Sequence, residues 1–188
     1  MNSPEYRIIV SLGTDYHRFD RLVHWIDHWL GLFAEPPSCL VQHGSSIAPQ
    51  LAKGIDRMPR SELLDLYRDA DLVVVQGGPG SILDAREAGH IPVAVPRLPQ
   101  LDEVVDAHQL AFTKAMQERG EAVMATRLEE LILLGEAVLR SPGQARTVPR
   151  PPGGAEAAGV LGRAVTDLVS TPPQRHTLRR LRQVWLRR

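Results

Sequence analysis

A strand-like run, Asp71 to Gln76, leads directly into Gly77-Gly78-Pro79-Gly80, and Ser81 is expected to open a helix lasting to about Ala88. Glycines at a strand-to-helix junction let a ligand approach the backbone, and the unsatisfied N–H groups of a helix start attract phosphate. In an open parallel sheet, the carboxyl ends of the strands are where ligands bind. The plainer alternative is a tight turn with a helix cap. Two familiar phosphate motifs fail on spelling. No lysine follows these glycines as in G-x-x-x-x-G-K-[ST], and Leu83 stands where G-x-G-x-x-G, begun at Gly78, needs its third glycine. Phosphate binding stays open, while ATP hydrolysis and NAD binding lose support.

Asp84 lies one helical turn after Ser81. A carboxylate there can accept hydrogen bonds from two ribose hydroxyls, or it can close a capping box with Ser81 and do nothing more. A long, charged, proline-flanked segment from Pro96 ends at His108-Gln109, whose side chains would offer donors and acceptors toward the same strand ends. His24 and His28, with Asp27 between them, loosely echo a metalloprotease helix, but no third ligand or glutamate base accompanies them. No metal is expected.

The elements that must position these groups alternate. Tyr6 to Leu12 and Cys39 to Gln42 read as buried strands, with a weaker extended segment near Ile55 to Met58 and another strand at Pro92 to Val95. Helical spacing runs from Phe19 to Phe33, where Leu22, Ile26, Trp29 and Phe33 share a face. Ser61 to Arg68 reads as a helix with Ser61 as N-cap. Helices near Ala107 to Arg119 and Leu128 to Leu139 flank a short strand at Ala122 to Met124. Strands alternating with helices through short loops predict an α/β, Rossmann-like parallel sheet with helices on both faces.

Residues 1–140 are therefore expected as one domain, residues 141–154 as a Pro/Gly-rich linker, and residues 155–188 as a helical, basic C-terminal tail. In the tail, six arginines from Arg175 to Arg188 occur without an acidic residue, and Leu178, Leu181 and Trp185 form an apolar stripe. Such a basic helix suits anionic lipid or an acidic partner.

Composition narrows the classes. The 188 residues carry 22 basic and 22 acidic side chains, so no general affinity for nucleic acid is expected. Cys39 is the only cysteine, which excludes an intrachain disulfide and a cysteine-built zinc site. No apolar run approaches the roughly 18 to 20 residues of a membrane span, and the first residues lack a signal-peptide layout. A cytoplasmic protein, peripheral at the inner face of the membrane at most, is expected.

Taken together, VVVQGGPGSILDAREAGHIPVAVPR, EVVDAHQLAF, SLGTDYHRFDRL and LVQHG resemble, in the right order over about Tyr6 to Leu139, the donor-binding half of glycosyltransferase family 28. Nearest are the small bacterial exopolysaccharide glycosyltransferase subunits, which are similar to the catalytic subunit of the two-subunit dolichol-pathway UDP-GlcNAc transferase. The resemblance implies half of a GT-B fold. It implies that Gly78, Pro79, Gly80 and Ser81 hold the diphosphate of a UDP-sugar and that Asp84 stands at the ribose. His108 and Gln109 would lie near the sugar and phosphates, Gly13 and Thr14 would form the loop at the cleft, and Gln42 and Gly44 would border the nucleotide.

Three departures stand out. Gln76 replaces a histidine-containing sequence before the glycines, Val104 and Ala107 interrupt the family's EHVDDHQ, and Asp15 takes a loop histidine's place with His17 two residues on. Asp15 and His17 are the candidates for the general base. The resemblance implies an inverting transferase that moves the sugar to a lipid-linked saccharide in cell-surface polysaccharide assembly, without a cofactor. Because a GT-B cleft lies between two domains, it also implies a membrane-associated acceptor-binding partner subunit. The alternative is a non-catalytic accessory subunit that binds UDP-sugar and stabilises or activates a separate transferase.

Overall fold

In the strand Ile8–Ser11 (β1) all four residues are buried, so both faces of the sheet must be covered there. The same holds for Cys39–Gln42 (β2) and Val93–Val95 (β5), and for all but the last residue of Leu72–Gln76 (β4). The edges are different. Lys53–Ile55 (β3) is largely exposed and Val123–Met124 (β6) is half-buried. The computed structural model describes residues 4–150 and Arg163. The six strands form one parallel sheet in the order β3-β2-β1-β4-β5-β6.

Asp20–Leu30 (α1) and Leu128–Arg140 (α5) cover one face, where Leu22, Ile26 and Trp29 pack on Ile8, Val10 and Val74. Arg60–Asp69 (α2), Pro79–Glu87 (α3) and His108–Glu118 (α4) cover the other, where Leu64, Tyr67, Ile82 and Met116 meet Ile9, Val73 and Val75. The side chains of β1 and β4 thus divide between two cores by strand alternation. The chain winds outward from β1 to β3 and then returns to β4. The order reverses between β1 and β4, which opens a crevice at their carboxyl ends.

Three boundaries differ from the sequence reading. The weak extended segment lies at Lys53–Ile55 rather than Ile55 to Met58, with Gly54 passing close to Pro49. Ser61 is not an N-cap: α2 begins at Arg60, and the Pro59 carbonyl accepts the first helical bond from Leu63 N at 3.1 Å. Likewise α3 opens at Pro79 with Gly78 as N-cap, so Ser81 is its third residue. Proline suits a first helical position because its missing N–H would have no partner there. The Ser81–Asp84 capping box therefore does not form.

The chain divides into a unit spanning Met1–Pro151 and a second spanning Pro152–Arg188. Within the first, much of the expected linker is docked. Ile91 N donates to Ala145 O at 2.8 Å, Thr147 N to Gly89 O at 2.9 Å, and Arg150 N to Arg86 O at 3.0 Å. Arg146 donates to the carbonyls of Arg68 and Ala70, both at 2.6 Å. These contacts give the Pro/Gly-rich residues a path over the end of α3. The expected helical, basic tail of residues 155–188 lies outside the described residues, apart from Arg163. Among the described residues, no helix is long and apolar enough to cross a membrane.

Candidate functional site

A cleft of about 270 Å³ occupies the crevice between β1 and β4. Ser11, Gly13 and Thr14 line it from β1 and its loop, and Gln42 from β2. Met58, Arg60 and Leu63 contribute from the start of α2, and Gln76, Gly80, Ser81 and Asp84 from the end of β4 and the first turns of α3. Six of the residues expected at a ligand site are thereby brought together: Gly13, Thr14, Gln42, Gly80, Ser81 and Asp84. A hollow of about 340 Å³ near Arg7 and Arg140 lies at the amino ends of the strands, away from the glycine-rich turn.

Gln76 sits at the centre. A Cβ added to Gly13, which has φ +78°, would come within 2.6 Å of Gln76 Nε2, and one added to Gly78 within 2.7 Å. Both glycines make room for this one side chain. Gln76 Oε1 accepts from Arg97 Nε at 3.2 Å and from Gln109 Nε2 at 3.1 Å, and Gln76 Nε2 donates to Ser81 Oγ at 3.4 Å. The residue that departs from the family pattern thus ties the helix start to two other loops. Gly80 has the opposite surroundings, since a Cβ there would meet nothing within 4 Å. Packing within this unit does not require glycine at position 80.

The other expected residues fall outside the cleft lining. Gly78 is the N-cap of α3 and Pro79 its first residue. Gly44 underpins Gly13, whose carbonyl would lie 2.8 Å from a Cβ at position 44. Within the lining, Gln42 is fixed by Ser11 Oγ, which donates to its Oε1 at 2.9 Å. His108 and Gln109 part company. Gln109 joins the Gln76 network, whereas the His108 side chain is 91% exposed and paired with Asp106 at 2.8 Å.

Asp15 and His17 form a pair beside the cleft. Asp15 Oδ1 accepts from His17 N at 2.8 Å and lies 2.7 Å from His17 Nδ1. Burial works to raise the Asp15 pKa, but the His17 hydrogen bonds and the nearby Arg97 charge outweigh it and hold the carboxyl below its ordinary value. Asp27, between His24 and His28, accepts from the backbone N–H groups of Gln50 and Leu51.

Arg97 is the residue that sequence reasoning missed. Its side chain is only 1% exposed, yet its donors reach Leu12 O at 2.9 Å, His17 O at 2.8 Å and Glu103 O at 3.0 Å, besides Gln76. The guanidinium lies 4.8 Å from the Phe19 ring centroid. Burial presses its pKa down, and Asp15 and Glu103 oppose that shift. Buried Glu103 in turn accepts two bonds from Arg21, both at 2.8 Å, and one from Leu98 N at 2.9 Å. The proline-flanked segment is therefore pinned at Arg97 and Glu103, while Leu101 and Val105 stay exposed. An arginine directly after an apolar strand, Val93-Ala94-Val95-Pro96-Arg97, was the available signal.

This architecture is one Rossmann-like half of a GT-B fold. No protein-family model matches the sequence, and no curated protein does. Among solved structures, it is similar to MurG of Acinetobacter baumannii, with 21% identity and a TM-score of 0.54 over 77% of this chain and 44% of that one. It is also similar to the UDP-GlcNAc 2-epimerase of Methanocaldococcus jannaschii, solved with UDP-GlcNAc and UDP, with 14% identity and a TM-score of 0.53 over 86% of this chain and 46% of that one. The kitacinnamycin glycotransferase matches with 17% identity and a TM-score of 0.50, over 75% of this chain and 36% of that one. The chain thus spans less than half the length of each of these proteins.

Proposed function

We propose that this chain is the donor-binding subunit of an inverting glycosyltransferase that uses a UDP-sugar. The observation that carries this reading is the cleft at the β1/β4 reversal, where Ser81 and Asp84 on the first turns of α3 face Gly13 and Thr14. The start of α3 suits a diphosphate, with Gly80 leaving space above the backbone. Asp84 suits the ribose. The epimerase of the same fold, solved with UDP-GlcNAc and UDP, supports a uridine nucleotide.

In the reaction, an acceptor hydroxyl attacks the anomeric carbon while the bond from that carbon to the UDP oxygen breaks. The electron pair leaves with UDP, and a general base takes the hydroxyl proton. Charge growing on the diphosphate can be met directly by backbone N–H groups and the helix start, so donor binding is expected to need no divalent metal. Asp15 and His17 are the candidates for the base, with Asp15 orienting the imidazole.

The acceptor is proposed to be a lipid-linked saccharide, held by a membrane-associated acceptor-binding partner subunit at the cytoplasmic face. The test is sugar transfer from a panel of UDP-sugars to a lipid-linked acceptor, with and without the partner. Transfer only in the partner's presence is expected; efficient transfer by this chain alone at high purity would contradict the divided site.

A second reading, a non-catalytic UDP-sugar-binding subunit that stabilises or activates a separate transferase, is favoured by the outward, 91% exposed side chain of His108. It requires that Asp15 and His17 substitutions leave transfer unchanged.

A further inference from the structure

Among the described residues, Arg60 is the only cationic side chain in the cleft lining, and Asp84 is the only anionic one. They belong to different helices. Arg60 is the first residue of α2, and Asp84 lies in the second turn of α3. Both Arg60 Nε, at 2.9 Å, and Arg60 Nη2, at 2.7 Å, donate to the same oxygen of Asp84, Oδ1. Nη2 also reaches Glu87, one turn further along α3, so Arg60 spans two carboxylates on one helix face. Among the described residues, none donates to Asp84 Oδ2.

We propose that Arg60 sets the ribose specificity of the site, by occupying one oxygen of Asp84 so that the carboxylate can hold one ribose hydroxyl rather than two. The inference rests on the nucleotide reading of the cleft and deepens it. A carboxylate gripping both hydroxyls of a ribose uses both of its oxygens, one for each. With two N–H groups on Oδ1, its lone pairs are filled, and Oδ2 alone remains to accept. The Asp84 side chain is 22% exposed and that of Arg60 54%. The site follows as one that distinguishes ribose from deoxyribose weakly. It fits nucleoside diphosphate donors that lack the hydroxyl Asp84 does not hold about as well as the full ribose.

The experiment is calorimetric titration of the full chain with UDP, 2′-deoxy-UDP and 3′-deoxy-UDP, repeated with Arg60→Ala and Arg60→Met. For the unaltered chain, at least one deoxy nucleotide should bind within about threefold of UDP, because the hydroxyl it lacks is one that Asp84 does not hold. Freeing Oδ1 should let Asp84 hold both hydroxyls, so in Arg60→Ala each deoxy nucleotide should fall about tenfold below UDP. Arg60→Met keeps the apolar stem but has no N–H to donate to Oδ1, and it should discriminate in the same way. It carries the test should the alanine variant fold poorly. The proposal is overturned if the unaltered chain loses about tenfold with both deoxy nucleotides, or if the Arg60 variants keep its tolerance. Absence of UDP binding to the unaltered chain at millimolar concentration would remove the nucleotide reading itself, and this inference with it. That outcome is separate from a failure confined to the deoxy comparison.

Discussion

Asp15 Oδ1 and His17 Nδ1 lie 2.7 Å apart on the loop after β1, and Arg97 holds the His17 carbonyl from beneath at 2.8 Å. The carboxylate and the imidazole thus act as one unit beside the cleft. If they supply the general base, Asp15→Asn and His17→Gln should each reduce transfer, by about tenfold or more, and the double variant should lose little beyond either single one. UDP affinity should stay the same in all three. Kinetics with the partner subunit, set beside nucleotide titration, checks both parts. Unchanged transfer would favour the accessory-subunit reading.

Arg97 should matter to stability as well as to shape. Replacing it by lysine keeps a charge but cannot reach Leu12, His17, Glu103 and Gln76 together. Leaving those buried partners unpaired should cost about 3 kcal/mol, read as a lower midpoint in urea unfolding. A loss below about 0.5 kcal/mol would show that the loops hold without it.

His90 predicts an acid-sensitive fold. The ring is fully buried, neither ring nitrogen has a hydrogen-bond partner among the described residues, and burial followed by the Arg146 charge pushes its pKa down to about 4. The unfolded chain therefore binds a proton that the folded one does not, between its ordinary value near 6.5 and about 4. Stability should be constant above that window and fall through it, by on the order of 3 kcal/mol at its lower end. Urea midpoints between pH 7 and pH 4 measure this for the chain and for His90→Leu. The variant should lose most of the pH dependence; the same slope in both would assign it to other groups.

Removing Gln174 to Arg188, with its six arginines, should leave UDP affinity unchanged. It should reduce binding to anionic vesicles or co-purification with the partner, and the vesicle binding should weaken as salt rises. A deletion that abolished UDP binding while the fold persisted would make the tail part of the donor site.

What could be read from the sequence follows from how local each signal is. β1, β2, β4 and β5 were legible because strands covered on both faces are continuous apolar runs. The helix faces were legible from Leu22, Ile26 and Trp29, all buried against the sheet. The neighbourhood of Gly80, Ser81 and Asp84 was legible because the three are contiguous on one helix. Proline's preference for the first helical turn would have moved that helix start from Ser81 to Pro79. The pairing of Arg60 with Asp84 was not legible, since the two are 24 positions apart on different helices. Arg97 was hidden for the same reason: its carbonyl partners at Leu12 and His17 lie 85 and 80 positions away. The docked path of residues 141–150 was obscured by composition, because Pro and Gly signal a linker whether or not their backbone finds partners.

The most direct test of the donor site is titration of the full chain with UDP in the presence of EDTA, for the unaltered protein and for Asp84→Ala. The account predicts binding without divalent metal. It also predicts that Asp84→Ala weakens UDP by about 1.5 to 3 kcal/mol, while barely affecting a uridine diphosphate that lacks both ribose hydroxyls. No UDP binding at millimolar concentration, or equal losses for the two nucleotides, would contradict it.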